Sequence, residues 1–333
     1  MGKGQSKIAT GFYFGSKKEQ VKAALNWKKH SDIPIIKNGN SPDLHAHQFD
    51  DISIITRNTC AFDSFFQITL ALAVDWPELK NEFLSKQSQV PFFKFVLDVY
   101  QNGINRSTYR KRIDILKMHC QLQEESSAIK LFTLDTAVVV GWLVGSLLQN
   151  APSLTEEAQC SQGCMPYLNV LTTKNMDISI ILGKNSAEEM AKECIVTQKV
   201  RCRTKGCTGT ANIILKSIGP LFVIDMSNSL DDNKQIPIKK LPSTMNNPMD
   251  KSKHLQLVGI IAYRGSSRNS FPEITLAAND DDATMLRRTA ALMSHYVAAV
   301  KRGNTWHEFD DIKCTRKTLK ENTKLVPHLL FFK

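Results

Sequence analysis

A single cysteine stands where the sequence predicts the beginning of a helix. The polar residues Asn58 and Thr59 lead into Cys60, and apolar residues follow at helical spacing from Phe62 and Phe65 onward. At a helix N-terminus, unpaired backbone N–H groups and the helix dipole favour a thiolate, so Cys60 is a candidate nucleophile. The alternative is a core cysteine, because cysteine outside disulfides is among the most buried residue types. These local residues do not decide between the two.

A histidine and two carboxylates are predicted to meet far along the chain. Gly303-Asn304 is typical of a turn and joins two alternating runs, which predicts a β-hairpin over 295–310. His295 opens the first strand, Asp310 ends the second, and Asp311 follows. Such a hairpin brings its two ends side by side. A histidine held by a carboxylate can deprotonate a thiol, although a half-buried strand histidine without chemistry is the alternative.

Four cysteines occur as two close pairs, each with a glycine just before its second member. The pairs are Cys160 with Cys164 and Cys202 with Cys207. Structural zinc prefers four thiolates in a tetrahedron, supplied by pairs with short spacing. The β-rich segment between the pairs could present them as the tips of two hairpins. We therefore predict a structural zinc site, with cysteines lining a small hydrophobic cluster as the alternative, and we expect no organic cofactor.

The composition is that of an ordinary globular protein, with 333 residues, 42% of them hydrophobic and 23% charged. Eight cysteines in a chain of this length, without a secretory signal pattern, do not indicate a disulfide framework. The sequence therefore predicts an intracellular protein of the cytoplasm or nucleus. The longest uncharged apolar run, 136–149, is too short to span a bilayer and predicts a buried helix.

The N-terminal segment is strongly basic and predicts a flexible arm over 1–50. Seven of the first thirty residues are lysines, against the single acidic residue Glu19. Gly2 with Ser6 also fits the N-myristoylation pattern, and a myristoyl chain followed by lysines would attach the protein to an anionic membrane. A solvated lysine-rich tail is the alternative. Nucleic acid is not an expected partner, because the lysines concentrate in the tail and no recognition helix or aromatic–basic stripe is present.

Helices are predicted mainly before residue 150 and strands mainly after 165, which indicates an α+β fold. The predicted helices include 60–74, 90–100, 110–122 and 134–148, the last with Asp135 as N-cap. Predicted strands include 167–171, 178–182, 195–200, 211–215, 221–226 and 255–263, followed by the hairpin and a closing strand over 326–332. The acid-rich segment 266–293 is predicted to be a loop or insertion.

These motifs resemble those of the ubiquitin-specific proteases, the papain-like cysteine deubiquitinases. Asn58-Thr59-Cys60, with Ser64 and Gln67, resembles the cysteine box of that family. The stretch from Ser294-His295-Tyr296 to Asp310-Asp311 resembles its histidine box. The two cysteine pairs fall where the zinc fingers of the family lie, and 257–261 and 326–332 resemble its strands. The order of the motifs agrees from about residue 51 to 333.

The resemblance implies a fold with thumb, fingers and palm, over 51–155, 156–226 and 227–333. It also implies that Cys60 is the nucleophile, His295 the general base and Asp310 the orienting acid, with Asp311 as the weaker candidate for that role. The implied reaction is hydrolysis of the isopeptide bond after the C-terminal glycine of ubiquitin or a ubiquitin-like protein, which would then be the partner.

Two positions depart from the pattern of the family. Ile55 stands where the family has an asparagine that supplies an oxyanion donor, and removal of such a donor typically costs about 10²–10³ in rate. Asn58 or backbone N–H groups near Cys60 could substitute for it. Asp63 stands where the family usually has asparagine, and this resembles the related SUMO isopeptidases. The alternatives are therefore a SUMO isopeptidase and a catalytically weak relative that only binds ubiquitin, with a basic nucleic-acid-binding protein less favoured.

Overall fold

The computed structural model describes residues 33–195, 199–228, 234–264 and 295–333. The predictions for Gly2 and the basic N-terminal lysines, for Ser294 and for the acid-rich segment 266–293 lie outside these residues. The larger of two compact units begins at Ile35. The side chains of Ile36 and Asn38, near the start of this unit, are buried.

The described chain is α+β, as predicted. Its helices are α1 Cys60–Asp75, α2 Pro77–Lys86, α3 Pro91–Asn102, α4 Arg106–Leu116, α5 Val140–Leu147, α6 Ile178–Ile181 and α7 Ser186–Ile195, with a 3-10 turn at Ile238–Lys240. Its strands are β1 His47–Phe49, β2 Ile52–Arg57, β3 Leu122–Ser126, β4 Leu131–Asp135, β5 Leu154–Cys160, β6 Tyr167–Leu171, β7 Lys174–Asn175, β8 Lys199–Arg201, β9 Thr210–Ile218, β10 Phe222–Asp225, β11 Ile236–Pro237, β12 Thr244–Asn247, β13 Asp250–Arg264, β14 His295–Arg302, β15 Thr305–Asp310, β16 Thr315–Leu319 and β17 Lys324–Phe332. None of the described helices has the length and hydrophobicity that crossing a membrane requires.

Three sheets organise the strands. The largest has nine strands, in the order β16-β15-β14-β13-β17-β10-β7, with β11 on β17 and β12 on β13. A four-stranded sheet, β6-β5-β9-β8, carries the two cysteine pairs. In another, β1-β2-β4-β3, two strands precede the first four helices in the sequence and two follow them. The predicted hairpin and closing strand are confirmed as β14, β15 and β17.

The central strands of the large sheet are covered on both faces. Phe331 of β17 stacks on Phe65 of α1, with ring centroids 5.7 Å apart. Its neighbours Leu330 and Phe332 belong to a second cluster of buried residues on the opposite face. Helix α1 therefore lies between the sheet and the helices α2 and α3.

Two contacts fix the position of α1 on the sheet. Gly259 of β13 lies against Ile68, and a Cβ atom at that glycine would be 2.8 Å from Ile68 Cγ2. The glycine thus allows a close approach of helix and strand. At the other end of α1, Arg302 of β14 donates two hydrogen bonds, of 2.7 and 2.8 Å, to the carboxylate of Asp75. These contacts bring the first residue of α1 to the start of β14.

Three local predictions were wrong. The segment 178–182 is the short helix α6 rather than a strand, because Asp177 caps it by accepting a hydrogen bond from the Ser179 N–H at 2.8 Å. Asp135 does not cap a helix over 134–148. It ends strand β4, which pairs in parallel with β2, and α5 begins only at Val140. Helix α4 spans 106–116 rather than 110–122, because Asn105 forms a capping box with Thr108.

Candidate active site

Cys60 is the first residue of α1, as predicted, and is 7% exposed. Its sulfur accepts hydrogen bonds from the backbone N–H groups of Tyr296 and Ala61. Tyr296 directly follows His295 at the start of β14. The thiol and the histidine backbone are therefore neighbours in space, although 235 positions in the numbering separate Cys60 from His295.

His295 and Asp310 meet at the open end of the hairpin. The Nε2 atom of His295 lies 3.2 Å from Oδ1 of Asp310 and 3.7 Å from Oδ1 of Asp311. Its other ring nitrogen, Nδ1, is buried and has no hydrogen-bond partner within the described residues. An N–H at Nε2 that donates to Asp310 leaves the lone pair of Nδ1 available to accept a proton.

Asp310 is held as an anion. Its Oδ1 also accepts from the backbone N–H groups of Ile312 and Lys313, and Lys313 Nζ lies 3.1 Å from Oδ2. Burial raises the pKa of the Asp310 carboxyl. The hydrogen bonds from His295 and from Lys313 outweigh this effect and hold the pKa well below its usual range. Asp310 can therefore fix the orientation of the imidazole.

The thiol of Cys60 is protonated at rest, contrary to the thiolate that the helix terminus predicts. Burial, followed by the nearby carboxyls of Asp311 and Asp63, raises the pKa of Cys60 to about 12, although the N–H groups of Tyr296 and Ala61 favour the thiolate. Desolvation, the largest of these causes, therefore exceeds the effect of the helix terminus. A reaction at this sulfur needs a base to remove the proton.

Asp311 is buried like Asp310 but has different neighbours. Its Oδ2 accepts from Asn38 Nδ2 at 2.6 Å, and its side chain is also hydrogen-bonded to that of Asp63. Burial, followed by the charge of Asp63, raises the pKa of Asp311 well above its usual value. Asp310 is therefore nearer to His295 and is held as an anion, whereas the surroundings of Asp311 favour its protonated form.

Sequence reasoning missed two residues that hold the site together. Arg112 of α4 is 1% exposed and donates to both oxygens of Asp63, at 2.9 and 3.1 Å. It also donates to the carbonyl of Lys37 at 2.8 Å. Asn38, in a segment predicted to be a flexible lead-in, donates to Asp311. Arg112 is detectable as a charged residue on the buried stripe of a predicted helix, while Asn38 leaves no comparable signal.

Asn58 lies in the turn before the nucleophile candidate, in the left-handed region with φ of 56°. Its Nδ2 donates to Oδ1 of Asp135 at 2.9 Å, and the backbone oxygen of Asn58 accepts from Thr136 Oγ1 at 3.0 Å. These bonds fix the turn beside the cleft at Cys60. Ile55 lines a different, smaller cavity with Tyr109 and Arg112.

A cleft of about 440 Å³ opens at Cys60. Tyr263, Tyr296 and His328 line one side of it, with neighbouring ring centroids 5.1 to 5.5 Å apart. The cleft shares Val139, Ser227 and Asn228 with a second groove of about 1000 Å³ along α5. Trp142, which is 51% exposed, lines this second groove. The two clefts adjoin and together form a path that leads away from the thiol.

The four paired cysteines lie together, as predicted. The sulfur atoms of Cys160, Cys164, Cys202 and Cys207 all lie within 4.8 Å of one another, and those of Cys160 and Cys207 are 3.7 Å apart. Four sulfurs at about 2.3 Å from a tetrahedral zinc ion are separated by about 3.8 Å. The site is therefore compatible with structural zinc. The glycines before each second cysteine, Gly163 and Gly206, have positive φ, of 75° and 82°, which the two tight turns require.

Backbone N–H groups surround the sulfurs of this cluster. They are donated by Gln162 to Cys160, by Thr204 to Cys202 and by Gly209 to Cys207, at 3.3 to 3.5 Å. Hydrogen bonds from Thr204 lower the pKa of Cys202. The N–H of Gly209 lowers the pKa of Cys207, but the neighbouring thiols outweigh it and raise that pKa, as expected for thiols that crowd together. Such donors stabilise thiolates, the form that binds a metal. The donor set and its turns thus fit a zinc ion at the end of the sheet that contains β5 and β9.

The sequence matches no protein family and no curated protein sequence. Solved structures of similar shape include the SAGA Ubp8/Sgf11/Sus1/Sgf73 DUB module, at 13% identity and a TM-score of 0.42, covering 96% of this chain and 73% of that chain. Another is a SAGA DUB module bound to monoubiquitin, at 13% identity and a TM-score of 0.42, covering 95% and 74%. A third is the yeast SAGA DUBm, at 14% identity and a TM-score of 0.40, covering 83% and 66%. At these identities and TM-scores, the similarity assigns no role to any residue.

Proposed function

We propose that this protein is a thiol hydrolase that cleaves the isopeptide bond after the C-terminal glycine of ubiquitin or a ubiquitin-like protein. The observation that carries this proposal is the convergence at Cys60. The thiol accepts a hydrogen bond from the residue that follows His295, and His295 contacts an ionised Asp310. The meeting of these two motifs, which lie far apart in the sequence, supports the proposal.

In the proposed mechanism, His295 is the general base. Asp310 accepts the N–H at Nε2 and so keeps the lone pair on Nδ1, which takes the proton of the Cys60 thiol as the sulfur attacks the carbonyl carbon. The imidazolium then gives that proton to the leaving lysine amine as the C–N bond breaks. Water, activated by the same histidine, hydrolyses the resulting thioester. A raised thiol pKa is consistent with a proton that leaves only during attack.

The oxyanion requires donors other than residue 55. The backbone N–H of Cys60 belongs to the first turn of α1, at the positive end of the helix dipole. The side-chain amide of Asn58 lies beside the same cleft and is held by Asp135. We propose that these groups together take the place of the asparagine that is usual in the family.

The adjoining clefts suit an extended C-terminal tail as the substrate. A tail that ends in two glycines can lie against the aromatic side of the cleft with its scissile carbonyl at Cys60. The exposed apolar residues Trp142 and Val139 along the second groove offer contacts for larger side chains further from the bond. This arrangement supports a modifier with a flexible tail rather than a folded segment as the partner.

The subdomain names follow from the same proposal. Helices α1 to α5 correspond to the thumb, the large sheet to the palm, and the sheet of β5, β6, β8 and β9 to the fingers. Cys160, Cys164, Cys202 and Cys207 would hold zinc at the end of the fingers. That ion would supply structural cross-linking of two loops and would take no part in the reaction.

A binding protein without catalysis is the second candidate. The observation in its favour is the Cys60 thiol, which is 7% exposed and has its pKa raised to about 12. Such a thiol is inert unless His295 accepts its proton. A SUMO isopeptidase differs from the leading proposal only in its modifier, and Asp63 is the residue in its favour.

Ubiquitin with a C-terminal alkyne warhead tests the proposal. Wild-type protein should form a covalent adduct, Cys60→Ala should form none, and His295→Ala should form it at least tenfold more slowly. Cys120→Ala is the matched control, since Cys120 lies outside the four-cysteine cluster and does not line the cleft at Cys60, so its loss should leave labelling intact. A SUMO warhead in parallel identifies the modifier. If wild type binds ubiquitin and forms no adduct with either warhead, the binding function replaces the enzymatic one.

A further inference from the structure

A chain of buried polar groups connects four segments that are distant in the sequence, next to the candidate nucleophile. We call the side chains of Asn38, Thr59, Asp63, Arg112 and Asp311 the brace. Each of the five is at most 5% exposed. They come from the segment before β1, the start of α1, helix α4 and the end of the His295 hairpin. Burial of so many polar groups lowers the stability of the fold unless each has a hydrogen-bonding partner, so we asked what their arrangement does at the site.

One half of the brace is an ion pair. Arg112 donates to both oxygens of Asp63, at 2.9 and 3.1 Å, and Thr59 Oγ1 donates to Oδ2 of Asp63. The backbone N–H of Gly39 donates to the Thr59 hydroxyl at 2.7 Å. Asp63 therefore has a cation and a hydroxyl to support its negative charge.

The other half contains a carboxyl without such support. Asp311 receives one side-chain donor, Asn38 Nδ2 at 2.6 Å, and its Oδ1 has no hydrogen-bond donor within the described part of the chain. Yet its side chain lies within hydrogen-bonding distance of Asp63. Two buried carboxyls in contact cannot both ionise, and the proton belongs on the one with fewer donors. Asp311 is therefore the protonated member.

We propose that the brace is a positioning device for the active site, in which Asp311 donates its proton to Asp63 and so joins the nucleophile helix to the hairpin of His295. Asn38 holds Asp311 from the opposite side, and the backbone N–H of Asn38 donates to the Asp311 carbonyl at 3.2 Å. Asp310 and Asp311 then have opposite protonation states and different roles. Asp310 is an anion that orients His295, and Asp311 is a neutral acid that donates a hydrogen bond to Asp63. The positioning role rests on the proposed function, whereas the sharing of a proton between Asp311 and Asp63 is independent of that function.

The shared proton has a signature in the stability of the protein. The titratable or charged side chains that face the pair are those of Cys60, Tyr109, Arg112, His295, Asp310 and Cys314. A carboxyl that stays protonated in the folded state ionises near pH 4 once unfolded, so its contribution to stability falls as pH rises above that value. Asp311→Asn keeps an N–H donor for Asp63 and removes this titration.

The first experiment is thermal unfolding of wild type and Asp311→Asn from pH 5 to pH 8. The variant should gain stability relative to wild type as pH rises, because only wild type must take up a proton on folding. Both proteins share every other titrating group, so their difference isolates Asp311. A difference that is constant, or that shrinks as pH rises, overturns the shared proton. No substrate enters this measurement, so it is independent of the proposed function.

The second experiment measures the positioning role with the ubiquitin alkyne probe. Asn38→Leu, which has nearly the same shape without the donor, should lower the maximal labelling rate at least tenfold while the probe concentration for half-maximal rate changes less than threefold. Asn102→Leu, on the exposed side of α3, is the control. Arg112→Lys should recover part of the rate lost in Arg112→Met. Loss of probe affinity with an unchanged maximal rate overturns positioning, whereas failure of wild type to label overturns the proposed function instead.

Discussion

His295 contacts Asp310 through Nε2, and this contact determines which nitrogen of the ring is left to accept a proton. Because the 3.2 Å contact occupies Nε2, the remaining nitrogen is the buried Nδ1, which has no hydrogen-bond partner within the described residues. The sequence order of cysteine, histidine and acid does not contain this information. It follows from the hairpin, whose open end places Asp310 beside Nε2 of His295 and the backbone of Tyr296 against the sulfur of Cys60.

Asp310→Asn should lower the rate of adduct formation with a ubiquitin warhead by roughly 10²–10⁴, because an amide in place of the anion no longer favours the productive tautomer. Asp311→Asn should lower the rate of adduct formation less than tenfold, because an amide can replace a protonated carboxyl as a hydrogen-bond donor to Asp63. Lys313→Met is a useful control, since it removes one exposed partner of Asp310 and leaves the backbone bonds. Equal losses in the two asparagine variants would contradict the separate duties of the two acids.

The thiol of Cys60 should react slowly with small electrophiles at neutral pH. Its pKa is raised to about 12, so the thiolate fraction increases with every step in pH through the neutral range. Alkylation by iodoacetamide, followed by mass spectrometry of the peptide that contains Cys60, should therefore rise up to at least pH 9 without a plateau. A plateau near pH 7 would indicate a resting thiolate and would argue against a base that acts during attack.

Arg112→Met should destabilise the protein by roughly 3–5 kcal/mol, because it leaves the buried Asp63 carboxylate without its cation. The free energy of unfolding in urea measures this change. The double variant Asp63→Leu/Arg112→Met should recover much of the loss, since two apolar residues of similar volume replace both charges. Lys111→Met, which removes an exposed pair with Asp98, should change stability by less than about 1 kcal/mol.

The protein purified from zinc-containing medium should carry one zinc ion for each chain, and Cys202→Ser should carry much less. A strong chelator should lower the unfolding temperature of wild type and leave that of the variant nearly unchanged, because the metal binds the folded loops. Metal analysis by mass spectrometry and thermal unfolding measure the two effects. Cys314→Ser, outside the cluster, should retain the metal. Wild type without zinc and without a response to chelator would refute the zinc site.

The sequence predicts well where side chains alternate or repeat with a clear period. The hairpin of 295–310 could be predicted because Gly303-Asn304 separates two runs in which polar and apolar residues alternate. The start of α1 could be predicted because a polar turn precedes an apolar helix. The cysteine pairs were readable from spacing and glycine alone. The segment 178–182 was wrongly predicted to be a strand, because its β-branched residues favour strands. A short helix forms there because the side chain of Asp177 accepts a capping hydrogen bond from the Ser179 N–H.

The candidate site was only partly predictable, because its supporting residues lack a pattern. Asn38 lies in a polar, glycine-containing stretch that reads as a loop, and only its contact with Asp311 distinguishes it. Arg112 carried a weak signal, as a charged residue one helical turn from the buried Thr108 and Leu116. The raised thiol pKa was unpredictable for a related reason, since the carboxyls that raise it are brought to Cys60 by tertiary packing.

The order of strands in the large sheet also bears on when this protein can become active during synthesis. Strand β17 is made after every other described strand, yet it lies inside the sheet, between β13 and β10. The hairpin that carries His295 and Asp310 pairs with β13 as well. A growing chain thus exposes Cys60 on the ribosome long before its partners exist, and the sheet beneath α1 lacks an inner strand until β17 emerges. The nascent protein therefore carries the Cys60 thiol before His295 and Asp310 have been made, and the candidate site is complete only once β17 has been translated.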